Sequence, residues 1–381
     1  MRPITDEKIN LLTTFMEKEG IDVILIADWE NARDVNMKYL SGHPMDASMV
    51  ITAGGETCLA PWDLLLAEDH AQVDLILDTA EFADRLSGGA IHYIKEFVKK
   101  ESPVIGVNQN IPYRIILDIK RTLPEAKIFD DIQKISTTFQ DLRSTKSNQE
   151  LDKLLEAGKM GSKAVEDIRK FAFEKDGTEN DLSFIVMKKL REYGAADNSF
   201  PSLIANTTRA HMIHCHPSAG NNNFSENGLA LIDYGALHEG YASDITIPIT
   251  FGKLTAEQEK IRDTTIKAYE AAIESIDIGV PLWKISKAAV DIIEAAGYHM
   301  PHGLGHGLGL TVHDSPGVRQ KPDTEEGMLS WKEQFVEDGM VFTIEPGIYS
   351  KGLGGQRLEN DVMIRNGKVV VYTKSEPIEV D

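Results

Sequence analysis

The sequence predicts an α+β protein of two domains, a smaller α/β domain over residues 1–135 and a larger one over 148–381, joined by a linker at 136–147. Three observations predict it. Helix-like and strand-like segments alternate through the smaller region, as they do in mixed α/β domains. The stretch LRSTKSNQE (142–150) reads as a junction, with Ser147 and Glu150 at capping-box spacing before a long helix over 148–174. Beyond it, a helix, turn, helix, glycine unit occurs twice, at 148–194 and at 256–297, each time followed by apolar strand-like segments. If the two units are related, two helix-helix-strand halves should pack about a pseudo-twofold with a site between them.

The elements follow in order. Lys8 to Gly20 reads as an amphipathic helix closed by a glycine C-cap. IDVILIAD (21–28) is a short buried strand, and SMVITAGGETCLAP (48–61) is two strands around a Gly54-Gly55 turn. IHYIKEFVKK (91–100), PVIGV (103–107) and IPYRIILDIKRTL (111–123) read as helix, strand, helix. No chemical motif appears here, and His43, His70 and His92 stand isolated.

Bulk properties narrow the function. The apolar fraction of 42% suits a globular core, and the net charge of -20 disfavours nucleic acid, which is bound by clustered Lys and Arg. Cys58 and Cys215 are the two cysteines, too few for a disulfide framework or a thiolate-rich zinc site. The N-terminus shows no apolar signal-peptide core and no segment reaches the ~20 apolar residues of a membrane span. A cytoplasmic enzyme is expected.

Four segments carry the chemistry. In LALIDYGALHEGYASDITIPIT (229–250) a turn near His238 and Glu239 would set Asp233 directly opposite Asp244. Opposed like charges on an apolar hairpin are destabilising, so a shared proton or a cation between them is called for. MPHGLGHGLGLTVHDSPG (300–317) holds His302, His306 and His313 among glycines. Those glycines make a zinc-binding helix untenable and suggest close backbone approach to a ligand. Alternation places His306 and His313 on opposite strand faces, so a bend or bulge must bring both to one site. In MVFTIEPGIYS (340–350) an apolar strand runs into Glu345 and stops at Pro346-Gly347. In GGQRLENDVMI (354–364), Arg357, Glu359 and Asp361 share one face if the segment is a strand. Four carboxylates and one imidazole suit two divalent ions of the Mn²⁺, Fe²⁺ or Co²⁺ type better than a structural zinc. A hydroxide bridging such ions is a nucleophile at neutral pH.

The strings LIDYG, SDIT, GLGHGLGLTVHD, TIEPGIY and RLENDV resemble those of the M24 metallopeptidases of the pita-bread fold, and within them the Xaa-Pro dipeptidases (prolidases) and Xaa-Pro aminopeptidases. The first domain resembles the creatinase-type N-terminal domain. The resemblance implies Asp233, Asp244, His306, Glu345 and Glu359 as ligands of two divalent ions, Mn²⁺ first, with Co²⁺, Fe²⁺ or Zn²⁺ as alternatives. It implies Glu345 as general acid/base and His313 as a substrate-binding catalytic histidine. Arg357 would be a carboxylate-binding or supporting arginine, and His302 and His216 substrate contacts. The upstream catalytic histidine implied falls in RAHMIHCHPSAG and is His214, which follows an apolar pair as the family's residue does, although His216 matches the commonest spacing to Asp233. Short proline-containing peptides are the implied substrates and a homodimer the implied assembly. Two other readings stay open: a non-peptide C–N hydrolase or metal-dependent lyase on the same fold, and a non-catalytic binding homologue.

Overall fold

The computed structural model describes residues 4–381 except Asp84, Leu86 and Ser330. The chain divides into two compact units, Met1–Leu142 and Arg143–Asp381.

In the first unit, β1 (Val23–Asp28), β2 (Ala47–Thr52), β3 (Thr57–Pro61), β4 (Leu75–Ile76), β5 (Val104–Val107) and β6 (Lys127–Ile128) form one sheet. Its order is β4-β3-β2-β1-β5-β6, with β1 antiparallel to β2 and parallel to β5. A central strand covered on both faces reads as a continuous apolar run, and every residue of β1 is buried. The helices are α1 (Asp6–Glu19), α2 (Val35–Ser41), α3 (Leu64–His70), α4 (Gly88–Phe97), α5 (Tyr113–Thr122) and α6 (Ile132–Ser144). Thr5 caps α1, and Gly20 ends it in the left-handed region at φ 69°. The segment 136–147 differs from the expected linker, because most of it lies in α6. Ile135, Phe139 and Leu142 recur at helical spacing and are buried, so burial of one apolar stripe keeps this stretch helical.

The second unit opens with α7 (Asn148–Glu174), whose Ser147–Glu150 capping box makes both reciprocal bonds, and α8 (Glu179–Glu192). Then come β7 (Asp197–Asn198), β8 (Leu203–Ala205), β9 (Gly228–Tyr234), β10 (Ala236–His238), β11 (Tyr241–Ala242) and β12 (Ile245–Phe251). A second helix pair follows, α9 (Ala256–Glu274) and α10 (Leu282–Ala295). The chain continues through β13 (Gly305–Gly307), β14 (Asp314–Val318), α11 (Glu325–Leu329), β15 (Val341–Ile344) and β16 (Gly347–Ser350). It ends with β17 (Gly354–Arg357), β18 (Asn360–Arg365), β19 (Lys368–Val371) and β20 (Ile378–Val380). Two main sheets result, β20-β12-β9-β8 and β14-β13-β15-β18-β19.

Each helix pair covers its own sheet. Ile168 of α7 and Leu182 and Val186 of α8 pack with Ile232, Ile247 and Ile249. Ile261 and Ala268 of α9 and Ile285 of α10 pack with Phe342, Ile344 and Val362. Full burial of such side chains is worth about 1.5–3 kcal/mol each, so these two layers hold the sheets' inner ends in place. Gln356 fastens β17 to the first of these sheets, its amide donating to the carbonyls of Ala230 in β9 and Ile249 in β12.

Candidate metal centre and substrate cavity

The hairpin that carries the first two aspartates has its turn at Glu239-Gly240, with φ of 49° and 90°. Positive φ at both central residues is the two-residue turn that fits strand twist. His238 therefore pairs with Tyr241, and Asp233 pairs with Thr246 rather than with Asp244. The turn lies one residue later than expected, which slides the register by two. A slide of two keeps the same face, so Asp244 remains a diagonal neighbour of Asp233.

The three histidines of 300–317 come together through an irregularity. The β13–β14 pairing shifts register between Gly305 and Gly307, and the His306 and His313 rings lie 4.2 Å apart. Two of their glycines, Gly305 and Gly307, stand where neighbouring backbone leaves no room for a side chain, and Gly303 and Gly305 line the cavity. A Cβ on Gly305 would stand 2.0 Å from the Thr343 carbonyl oxygen, and one on Gly307 2.2 Å from the Ser315 carbonyl carbon. Glu345 follows β15 at the Pro346-Gly347 break as expected. The stretch 354–364 is not one strand: it breaks between β17 and β18, and Glu359 sits in the break. There the Glu359 N–H donates to the Thr246 carbonyl, 3.1 Å.

A cavity of about 720 Å³ is lined by all ten residues singled out from the sequence. They are Asp233, Asp244, His306, Glu345 and Glu359, with His214, His216, His302, His313 and Arg357. One ligand atom each from Asp244, His306 and Glu359 lie within 4.8 Å of one another. His306 Nε2 is 3.6 Å from Asp244 Oδ2 and 3.5 Å from Glu345 Oε1. Its Nδ1 faces the Gly307 carbonyl at 3.1 Å, which fixes the ring with Nε2 turned to the carboxylates.

The electrostatics ask for positive charge. Burial, then Glu359 and Asp233, push the Asp244 carboxyl well above its usual range. Burial and the nearby Glu345 do the same to Glu359, and burial raises Glu345 to about 8 against the pull of Arg357. Burial lowers His306 to about 4, so it is neutral and able to ligate. Asp233 Oδ1, Asp244 Oδ1 and Glu359 Oε1 are buried without a hydrogen-bond partner. Three orphaned carboxylate oxygens beside a neutral imidazole fit divalent cations, because buried charges persist only when paired or metal-bound.

Arg357 sits behind this cluster at 2% exposure. Its Nε donates to Thr246 Oγ1 at 2.9 Å, and Nη1 to the Tyr349 hydroxyl at 2.9 Å and the Ile213 carbonyl at 3.3 Å. Nη2 donates to Asp233 Oδ2. With those donors committed to the protein, Arg357 has no fork left for a bidentate substrate carboxylate, and the supporting role is the one the geometry favours. Thr246 in turn donates to Glu359 Oε2, 2.6 Å. Tyr349 also faces His302 Nε2 at 3.0 Å.

The sequence reading missed Thr246 and Tyr349. Tyr349 stood in the TIEPGIY string, and Thr246 gave no signal until the register was known. It also missed the apolar wall of Phe200, Pro201, Leu203, Ile213 and Val312. His214 and His216 both line the cavity.

Comparison with known proteins gives the family of the fold that carries this site. The Creatinase/Prolidase N-terminal domain model matches residues 8–145. An Xaa-Pro dipeptidase of Pyrococcus horikoshii is 29% identical over 380 residues, 98% of this chain and 98% of that one. The crystal structure of the prolidase from the same organism superposes with a TM-score of 0.79 at 28% identity, covering 98% of this chain and 99% of that chain. An Xaa-Pro dipeptidase structure from Bacillus anthracis gives 0.82 at 25%, covering 98% and 99%. The model of metallopeptidase family M24 matches residues 152–366, the stretch that holds every cavity residue described above, and the chain belongs to that family.

Proposed function

We propose that this enzyme hydrolyses Xaa-Pro dipeptides with two divalent ions held by Asp233, Asp244, His306, Glu345 and Glu359. The observation that carries the reading is the set of orphaned oxygens on Asp233, Asp244 and Glu359, facing one cavity with His306. Such ions, when bound, polarise a carbonyl and lower the pKa of water to about 7. Mn²⁺ is the first choice, since oxygen-rich ligation with one nitrogen suits it.

The chain's own groups do the rest. Glu345 accepts a proton and passes it to the leaving proline nitrogen. Its Oε1 lies 3.5 Å from His306 Nε2 and faces the cavity that would hold the scissile bond. His313 and His214 orient the substrate and donate to the carbonyl oxygen as charge develops on it. His302 and His216 complete the polar wall. The apolar wall receives the proline ring and the Xaa side chain, and excludes water from the bond being broken. Arg357 acts through Asp233, which it holds in place.

Dipeptides are favoured because the relatives named as dipeptidases match over nearly the full length of both chains. A series of Xaa-Pro-(Yaa)n peptides assayed with Mn²⁺, with products read by mass spectrometry, tests this. Cleavage of Ala-Pro and Gly-Pro but not of longer peptides is expected. Cleavage of longer peptides instead makes the enzyme an aminopeptidase, and turnover of no Xaa-Pro substrate removes the proposal. Resemblance to the family supports a cytoplasmic homodimer, which sedimentation velocity and cell fractionation test. No helix among the described residues is long and apolar enough to cross a membrane.

A further inference from the structure

The loop that carries His214 and His216 has no regular secondary structure between β8 and β9, yet it supplies one wall of the cavity. A loop of that kind holds a side chain to catalytic tolerance only if something fixes its backbone. One buried carboxylate lies at its base. Glu179, the first residue of α8, is fully buried, and Arg209, within the loop, is 9% exposed.

Glu179 gathers both feet of the loop. Its Oε1 accepts from the Asn206 N–H at 2.9 Å, and its Oε2 from the Gly220 N–H at 2.8 Å. Oε2 also accepts from Arg209 Nη1, while Arg209 Nη2 donates to the Pro217 carbonyl, next to His216. The α8 end closes around the same point. Glu179 N–H donates to the Asn222 carbonyl at 3.1 Å, and Asn180 N–H to the Gly220 carbonyl at 2.9 Å. A carboxylate at the N-terminal turn of α8 is also favoured by the helix dipole. None of the five proposed metal ligands touches this cluster in the bonds just described.

We propose that Glu179 and Arg209 are positioning residues that clamp the 206–220 loop so that His214 and His216 face the substrate. The clamp spans the loop's entry, its exit and the peptide beside His216. This inference rests on the reading that these histidines contact the substrate.

The loop contains its own reporter. Cys215 lies between the two histidines and is buried, its Sγ 3.3 Å from the Ser218 carbonyl. Cys58, the other cysteine, is buried in β3 of the first unit and serves as an internal control. In the Mn²⁺-loaded full chain, E179Q and R209K should each raise the alkylation rate of Cys215 by about tenfold or more and leave that of Cys58 unchanged. The rates are read by peptide mass spectrometry with iodoacetamide. Both variants should keep Mn²⁺ affinity by calorimetry within about twofold and lose about tenfold or more in kcat/KM. In an H214A/H216A background the same substitutions should cost less than about twofold in kcat/KM.

Unchanged Cys215 labelling in both variants overturns the clamp, as does a parallel rise at Cys58, which reports general loosening. A full multiplicative loss in the H214A/H216A background also overturns it. If H214A/H216A itself leaves kcat/KM intact, the catalytic reading of the histidines fails, and thiol labelling still decides whether the loop is clamped.

Discussion

Arg357 donates to Oδ2 of Asp233 and leaves Oδ1 of the same carboxylate buried and unpartnered. One oxygen is thereby held and the other is presented to the cavity. Lysine cannot copy this, because one ammonium cannot reach Asp233, Tyr349, Thr246 and the Ile213 carbonyl together. Arg357→Lys should weaken Mn²⁺ binding by about 10- to 100-fold, the usual cost of losing a group that orients a ligand. Calorimetric titration of metal-free protein measures it. Wild-type affinity in the variant would contradict the holding role.

Metal removal should make stability depend on pH in a defined direction. Without cations, burial holds Glu345 at about 8, above its ordinary 4.5. Between those values the folded state binds a proton that the unfolded state has released. The contribution of Glu345 to the stability of the metal-free protein therefore falls as pH rises from 4.5 to 8. Metal binds the deprotonated ligands and so gains as pH rises. The difference in Tm between Mn²⁺-loaded and EDTA-treated protein should widen from about pH 5.5 to about pH 8. Calorimetric scans check this, and a gap that narrows with pH would falsify it.

His302 gives the opposite slope. Burial lowers its imidazole from 6.5 to about 4, with Nδ1 at the Gly303 carbonyl and Nε2 at Tyr349. Below 6.5 the unfolded state takes up a proton that the folded state refuses. Its contribution is complete above 6.5 and is lost as pH falls toward 4. His302→Gln should flatten the acid side of a plot of urea midpoint against pH. An unchanged acid slope in the variant counts against this assignment.

Gly305 and Gly307 flank the proposed ligand His306 and leave no room for a Cβ against neighbouring backbone. Gly307→Ala should cost about 1–3 kcal/mol, because backbone cannot step aside as a side chain can. Mn²⁺ affinity should fall with it, since β13 must shift and carry the imidazole along. Gly317→Ala is the control, with open space where the methyl would go. Chemical denaturation of both variants makes the comparison; equal costs would remove the close-approach argument.

Much of this site was legible because each ligand stands at a change of pattern. Asp233 interrupts an apolar strand, Glu345 ends one, and His306 sits between glycines. The α7 capping box was legible for the same reason, since Ser147 and Glu150 lie within one turn. What stayed hidden depended on register. Whether Asp233 opposes Asp244 or Thr246 turns on one residue of turn placement, which composition does not fix. The continuity of 354–364 was misread because alternation persists across the break at Glu359. Glu179 was invisible as anything but a helix-start acid, because its partners at Arg209 and Gly220 lie in an irregular loop.

The five proposed ligands divide between the two helix-covered sheets and the chain next to them. Asp233 and Asp244 come from the β9–β12 hairpin, while His306 lies in β13 of the second sheet, Glu345 just after its β15 and Glu359 just before its β18. Neither half alone holds enough donors for a pair of ions, and the two sets meet only through contacts far apart in sequence. Such contacts form late, after most loop-closure entropy has been met. On the proposed ligand set, metal capture would mark completed folding, and a nascent chain with only its first half made would carry no working hydrolytic centre.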